Sequence, residues 1–97
     1  MVVSEIDTPA LLVDLDRLTA NLDRVAHLTR AADLKLRPHT KTHKVPEIAK
    51  LQLERGADGI TVAKIGEAEV MANAGIDDIF IAHEIVGAAK VERLATL

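Results

Sequence analysis

The chain has 97 residues, 48% of them hydrophobic and 28% charged, with Phe80 as its only aromatic. A formal charge of −3 and the near absence of aromatic rings exclude general nucleic-acid binding, which rewards positive excess and stacking side chains. No cysteine is present, which rules out a disulfide framework and a thiolate metal site.

The opening MVVSEIDTPA lacks the basic start and apolar core of a secretion signal. No apolar run approaches the roughly 20 residues that cross a bilayer, so a cytoplasmic location without a membrane partner is expected. TPALLVDLD predicts a short strand, Ala10 to Val13, punctuated by Pro9. Asp14 or Asp16 then caps a helix whose apolar face is Leu15, Leu18, Leu22, Val25 and Leu28, fading near Asp33. Leu34, Leu36 and Pro38 alternate with Lys35, Arg37 and His39, which predicts a strand ending at or shortly after Pro38. Pro46 suits a first helical turn, Glu47 complements its positive end, Ile48, Leu51 and Gln52 form the inner face, and Gly56 stops it. DGITVAK reads as a buried strand, GEAEVMANAG as a helix ending at Gly75, and DDIFIAHE as a second buried strand. A further helix begins after Gly87 and is still running at Leu97.

Strand starts near Leu34, Ala57 and Asp77 recur about every 20 residues, the βαβ rhythm of a parallel α/β sheet covered by helices. GADGITVAK and GIDDIFIAH repeat one local phrase. Parallel sheets need both faces covered, and three central strands cannot close an eight-stranded barrel. The expected architecture is therefore the N-terminal part of a (β/α)8 barrel, incomplete in this chain. The alternative is a small open three-layer domain.

The stretch LKLRPHTKTHKVPE gathers six basic or imidazole side chains in an acidic chain, five of them from Arg37 to Lys44. Strand parity puts Leu34, Leu36, Pro38 and Thr40 toward the helices and Arg37, His39 and Lys41 toward the interior, at the carboxyl end where parallel folds place their chemistry. Lys44 falls on the other face. Cationic neighbours would disfavour the ammonium form of Lys41, and a neutral amine is what a Schiff base with an aldehyde requires. The competing reading is a solvated loop that merely attracts anions. His39 and His43 stand four apart, but Pro38 argues against a helix there and no HExxH carboxylate accompanies them, so no metal site is expected in this chain. Glu67 and Glu69 in GEAE suit a helix start, His83 and Glu84 sit at a strand's carboxyl end, and His27 lies off its helix's apolar stripe.

TPALLVDLDRL, LRPHTKTHK and GITVAKIGEAEVMANAGIDDIFIAHEIVG together resemble the N-terminal part of the D-threonine aldolase and D-serine dehydratase family. These are pyridoxal-phosphate lyases of fold type III, with an alanine-racemase-type barrel. The resemblance implies that Lys41 is the Schiff-base lysine and catalytic residue, with Arg37, His39, Thr42 and His43 in the surroundings of pyridoxal 5'-phosphate. It implies a D-3-hydroxy amino acid substrate and, in the full-length protein, a divalent metal at the β-hydroxyl and a homodimer. Residues 1–97 would be the N-terminal segment of the barrel domain, inactive alone, without the rest of the barrel and a C-terminal β-domain. An amino-acid racemase, a pyridoxal-phosphate-binding homeostasis protein and a non-catalytic anion-binding fragment are the alternatives.

Overall fold

Asp14 opens the first helix as the spacing predicts: its carboxylate accepts the Arg17 N–H at 3.0 Å. In the computed structural model, which describes residues 2–97, this helix is α1, Leu15–Ala31. Further along are a 3-10 turn Thr40–Thr42, α2 Pro46–Glu54, strand β1 Ile60–Val62, α3 Ile65–Asn73, strand β2 Ile79–Ile81 and α4 Ala88–Thr96. Pro46 occupies the first turn of α2. Gly56 and Gly75, at φ 107° and 86°, release the chain after α2 and α3 through backbone angles that favour glycine.

The strands β1 and β2 are parallel, with Ile60 level with Ile79, Thr61 with Phe80 and Val62 with Ile81. One sheet face is dry. There Ile60 and Val62 pack with Ala49 of α2, with Ala68 and Met71 of α3, and with Ile76, flanked by Leu53, Ile79 and Ile81. These aliphatic and small side chains leave no polar atom to satisfy, which is how the sheet and its helices hold together.

Leu34 to Pro38 is extended and runs beside β1 in parallel, but it does not form a regular strand. Asp58 N–H donates to the Leu36 carbonyl and Thr61 N–H to the Pro38 carbonyl, both at 2.8 Å. In return the segment offers almost nothing: Leu36 N–H goes to the Asp58 carboxylate at 2.8 Å, and Pro38 has no N–H. Only its carbonyls join the ladder, with one bridge between His39 and Thr61.

Other expectations need correction. Ala10 to Val13 is not a strand: Leu11 is 94% exposed and no backbone partner lies beside the segment among the described residues. An unpaired strand has no ladder to stabilise it. The apolar stripe of α1 is only partly covered. Ala26 is buried and Leu22 half-buried, whereas Leu15, Val25 and Leu28 remain exposed; Leu22, Val25 and Ala26 share an open groove with Leu36, Pro38 and Gln52. The buried residue of α2 is Ala49, one position from the expected stripe. In β2, expected to be buried, Phe80 is 56% exposed on the face opposite the core.

The molecule is a slab of 47 × 41 × 20 Å. Its radius of gyration is 15.8 Å, against about 12.5 Å for a compact domain of this length. No helix among the described residues is long and apolar enough to cross a membrane.

Candidate active site at the carboxyl rim

Parallel neighbours at one level share a face, so the register assigns the open side of the sheet in layers. Thr61 and Phe80 are level, and His39 is level with Thr61. Two residues earlier stand Arg37, Gly59 and Asp78; two residues later stand Ala63 and Ala82, where the third segment has already entered the 3-10 turn Thr40–Thr42 that bears Lys41. The open face thus carries an ionic layer at the amino ends and a middle layer, and the turn with Lys41 follows at the carboxyl rim.

The ionic layer is tightly built. Arg37 donates to both carboxylate oxygens of Asp78, at 2.6 and 2.9 Å, and Nη1 also reaches the Asp78 carbonyl at 3.3 Å. This guanidinium holds the Asp78 carboxyl below the usual range. Gly59 makes room for it, since an added Cβ would collide with the guanidinium and stand 2.8 Å from the Asp78 carboxylate carbon. Arg37 is inward-facing as predicted, but its charge is matched by Asp78 at the far end of the strands. It does not supply the crowding that the sequence suggested for Lys41.

The turn that bears Lys41 is fixed by its neighbours. Thr40 is 1% exposed and its hydroxyl donates to the Thr61 carbonyl at 3.2 Å. The Thr61 hydroxyl donates back to the Arg37 carbonyl at 3.3 Å. His39 Nδ1 accepts the Lys41 N–H at 3.3 Å, and His43 Nδ1 accepts the Val45 N–H at 3.0 Å. Each histidine therefore caps the backbone two residues ahead, which assigns the proton of a neutral ring to Nε2. Burial pushes the His43 imidazole below its ordinary value, against the opposing pull of the Gln52 amide. Lys41 itself is exposed, and its amine has no ion-pair or hydrogen-bond partner among the described residues. Thr42 is also exposed.

Past the turn, Lys44 adopts φ 54° and extends its amine to 3.6 Å from Glu67 Oε1, an ion-pair contact longer than a hydrogen bond. Glu67 Oε2 accepts the Ala63 N–H at 2.7 Å, and the Glu67 side chain is only 10% exposed. Burial would raise this carboxyl, but the Ala63 N–H and the charges of Lys44 and Lys64 outweigh it and leave Glu67 below its ordinary value. Across the rim, Ala63, Lys64, His83, Glu84 and Lys90 line a cleft of about 540 Å³ between the ends of β1 and β2 and the start of α4. His83 and Glu84 are exposed there, His27 is exposed on α1, and no three His, Cys, Asp or Glu come together among the described residues.

Sequence reasoning missed Gly59, Asp78 and the second role of Glu67. A signal for the first two was present: Gly59 and Asp78 hold corresponding places in the repeated phrases, each one residue before its strand. Nothing in GEAE distinguishes a clasp from a helix start.

Residues 13–97 match the model of the alanine racemase N-terminal domain. The chain belongs to the alanine racemase N-terminal domain family. Within that family it is 45% identical to a D-threonine aldolase of Arthrobacter sp over 95 residues, which are 98% of this chain and 25% of that protein. It is 39% identical to a 3-hydroxy-D-aspartate aldolase of Paracoccus denitrificans over 95 residues, 97% of this chain and 24% of the relative. A D-threo-3-hydroxyaspartate dehydratase of Delftia sp. strain HT23 is 44% identical over 93 residues, 91% of this chain and 24% of the relative. The fold agrees with crystal structures of the same kind. D-threonine aldolase from Filomicrobium marinum superposes with a TM-score of 0.94 at 45% identity, over 97% of this chain and 25% of that one. The Delftia dehydratase gives 0.84 at 39% identity, over 95% and 23%. The chain thus spans about a quarter of the length of these relatives, and its alternation of helices and parallel strands is the N-terminal part of an alanine-racemase-type barrel.

Proposed function

We propose that the whole protein is a pyridoxal-phosphate-dependent lyase of D-3-hydroxy amino acids, with Lys41 as its Schiff-base lysine. The observation that carries this reading is the position of Lys41 in RPHTKTHK: exposed in the turn at the carboxyl rim, with an amine that has no ion-pair or hydrogen-bond partner among the described residues. Such an amine is accessible to the aldehyde end of the cofactor. Relatives that cleave or dehydrate D-amino acids bearing a 3-hydroxyl support the substrate class.

When bound, the cofactor supplies an electron sink for the substrate carbon whose bond is broken. The chain's own residues do the rest. The turn Thr40–Thr42, stitched to β1 through Thr40 and Thr61, fixes the Lys41 backbone, so the amine swings from a rigid base. His39 and His43 keep their Nδ1 atoms on the backbone; this leaves the His39 Nε2–H for the cofactor, while His43, with its Nε2 buried beside Gln52, shapes the turn from behind. Thr42 is the adjoining exposed hydroxyl. Arg37 supports the site from below through Asp78. Lys41 Nζ, when not bonded to the cofactor, would hold or move a proton at the substrate's α-carbon. A divalent metal at the β-hydroxyl would take its ligands from outside residues 2–97. We place residues 1–97 as the N-terminal segment of the barrel domain, with the remaining barrel strands and a C-terminal β-domain elsewhere in the protein.

The test is turnover of D-threonine and D-threo-3-hydroxyaspartate by the whole protein, with and without a chelator, analysed for aldehyde plus glycine, for keto acid plus ammonia, and for racemised substrate. Lys41→Ala is expected to lower turnover by a factor on the order of 10³. Turnover that survives Lys41→Ala, or racemisation as the sole reaction, would overturn the proposal.

A further inference from the structure

We propose that Glu67 and Lys44 form a clasp that positions Lys41, by binding the turn after it to the end of the neighbouring strand. The inference rests on the assignment of Lys41 above and adds two residues to its machinery.

Three observations carry it. The first is the placement of Glu67. Its Oε2 accepts the N–H of Ala63, the first residue past β1, the strand to which the Lys41 turn is stitched through Thr40 and Thr61, at 2.7 Å. Its Oε1 faces the Lys44 amine at 3.6 Å. One carboxylate therefore spans the two chain segments that flank the Lys41 position. The second is burial. The Glu67 side chain is 10% exposed, and Oε1 is shielded from solvent with no hydrogen bond of its own, so the cation of Lys44 is the group that compensates its charge. The third is stereochemistry. Lys44 holds φ 54°, in the left-handed region where glycine or asparagine is the ordinary choice. A lysine there accepts an unfavourable backbone, and what it delivers is an amine at a buried carboxylate.

A clasp of this kind acts on Lys41 through geometry. His43 N–H and Lys44 N–H both close on the Thr40 carbonyl, at 3.2 and 2.8 Å, so Lys41 lies inside a loop whose end Lys44 pins. Releasing Lys44 frees that end, and the lysine loses its fixed approach to the aldehyde.

The experiment measures the rate at which Lys41 of the whole protein is pyridoxylated by limiting pyridoxal phosphate and borohydride, read by peptide mapping, beside the thermal midpoint. Glu67→Gln keeps an oxygen acceptor for Ala63 and removes the charge. Lys44→Gly suits the backbone angle and removes the amine, and Lys44→Arg restores a cation. The expected result is a fall in Lys41 labelling of about tenfold or more in Glu67→Gln and Lys44→Gly, with most of it regained in Lys44→Arg. Labelling at the wild-type rate in Lys44→Gly, or an equal loss in Lys44→Arg, would overturn the clasp while leaving Lys41 as the anchor. Absence of label on Lys41 in the wild-type protein would remove the anchor itself, and the clasp with it.

Discussion

His39 and His43 resolve an ambiguity that spacing alone leaves open. Four residues apart, they could share a metal on a helix; here each turns its Nδ1 onto the backbone N–H two residues ahead, at Lys41 and Val45. The reason is local. The chain is extended to Pro38 and then makes only one 3-10 turn, Thr40–Thr42, so no helical face carries both rings, and an imidazole acceptor satisfies an N–H that the tight turn leaves unpaired. The two residues differ in consequence, because burial depresses His43. A histidine whose folded value lies below its unfolded value of roughly 6.5 contributes stability above that pH and loses it as pH falls through the folded value. Acidification from pH 7 to 5 should therefore lower the thermal midpoint of the whole protein more than that of His43→Asn, whose side-chain oxygen accepts the Val45 N–H but takes up no proton. Parallel slopes for the two proteins would contradict this account of His43.

The helices and the two parallel strands β1 and β2 were largely legible in the sequence, and the two segments before them were not. Caps and stops are local chemistry: Asp14 at α1, Pro46 in α2, Gly56 and Gly75 behind α2 and α3 each act within a turn of their own position. Strand identity depends on a neighbour. Ala10 to Val13 has the pattern of a strand but no partner, and Leu34 to Pro38 has a partner but withholds its N–H groups from the ladder. The parity of Arg37 and His39 survives because an extended chain alternates its side chains whether or not it is a regular strand, whereas Lys41 has already entered the 3-10 turn Thr40–Thr42. What parity does not give is height along the strand, and Arg37 proved to sit with Gly59 and Asp78 at the amino ends. Gly59 is the position where three segments depend on one missing methyl. Gly59→Ala should cost about 1–3 kcal/mol of stability through overpacking against Arg37 and Asp78. Because this layer lies at the end away from Lys41, turnover per folded molecule should be retained. A variant of wild-type stability would show that the layer is looser than its contacts imply.

At the scale of the whole molecule, apolar side chains lie open on several faces: Leu11, Leu15, Leu28, Phe80, Val86 and Val91 are all exposed. The total accessible surface is 7091 Å², where a compact chain of this mass exposes about 5,400 Å². Phe80, the exposed member of the open face's middle layer, has a geometric reason to lie bare: in a closed barrel the remaining strands would cover it. The chain expressed as residues 1–97 is accordingly expected to self-associate and to bind a hydrophobic dye strongly. Monomeric, cooperatively unfolding material would contradict the incomplete-barrel account. The function reading stands or falls on a single amine at the rim of this sheet. Its most direct test is borohydride reduction of the whole protein with pyridoxal phosphate, followed by proteolysis and mapping of the pyridoxyl group. The account predicts label on the peptide containing Lys41. Label missing from that peptide, or distributed over Lys35, Lys44, Lys50 and Lys64, would contradict it.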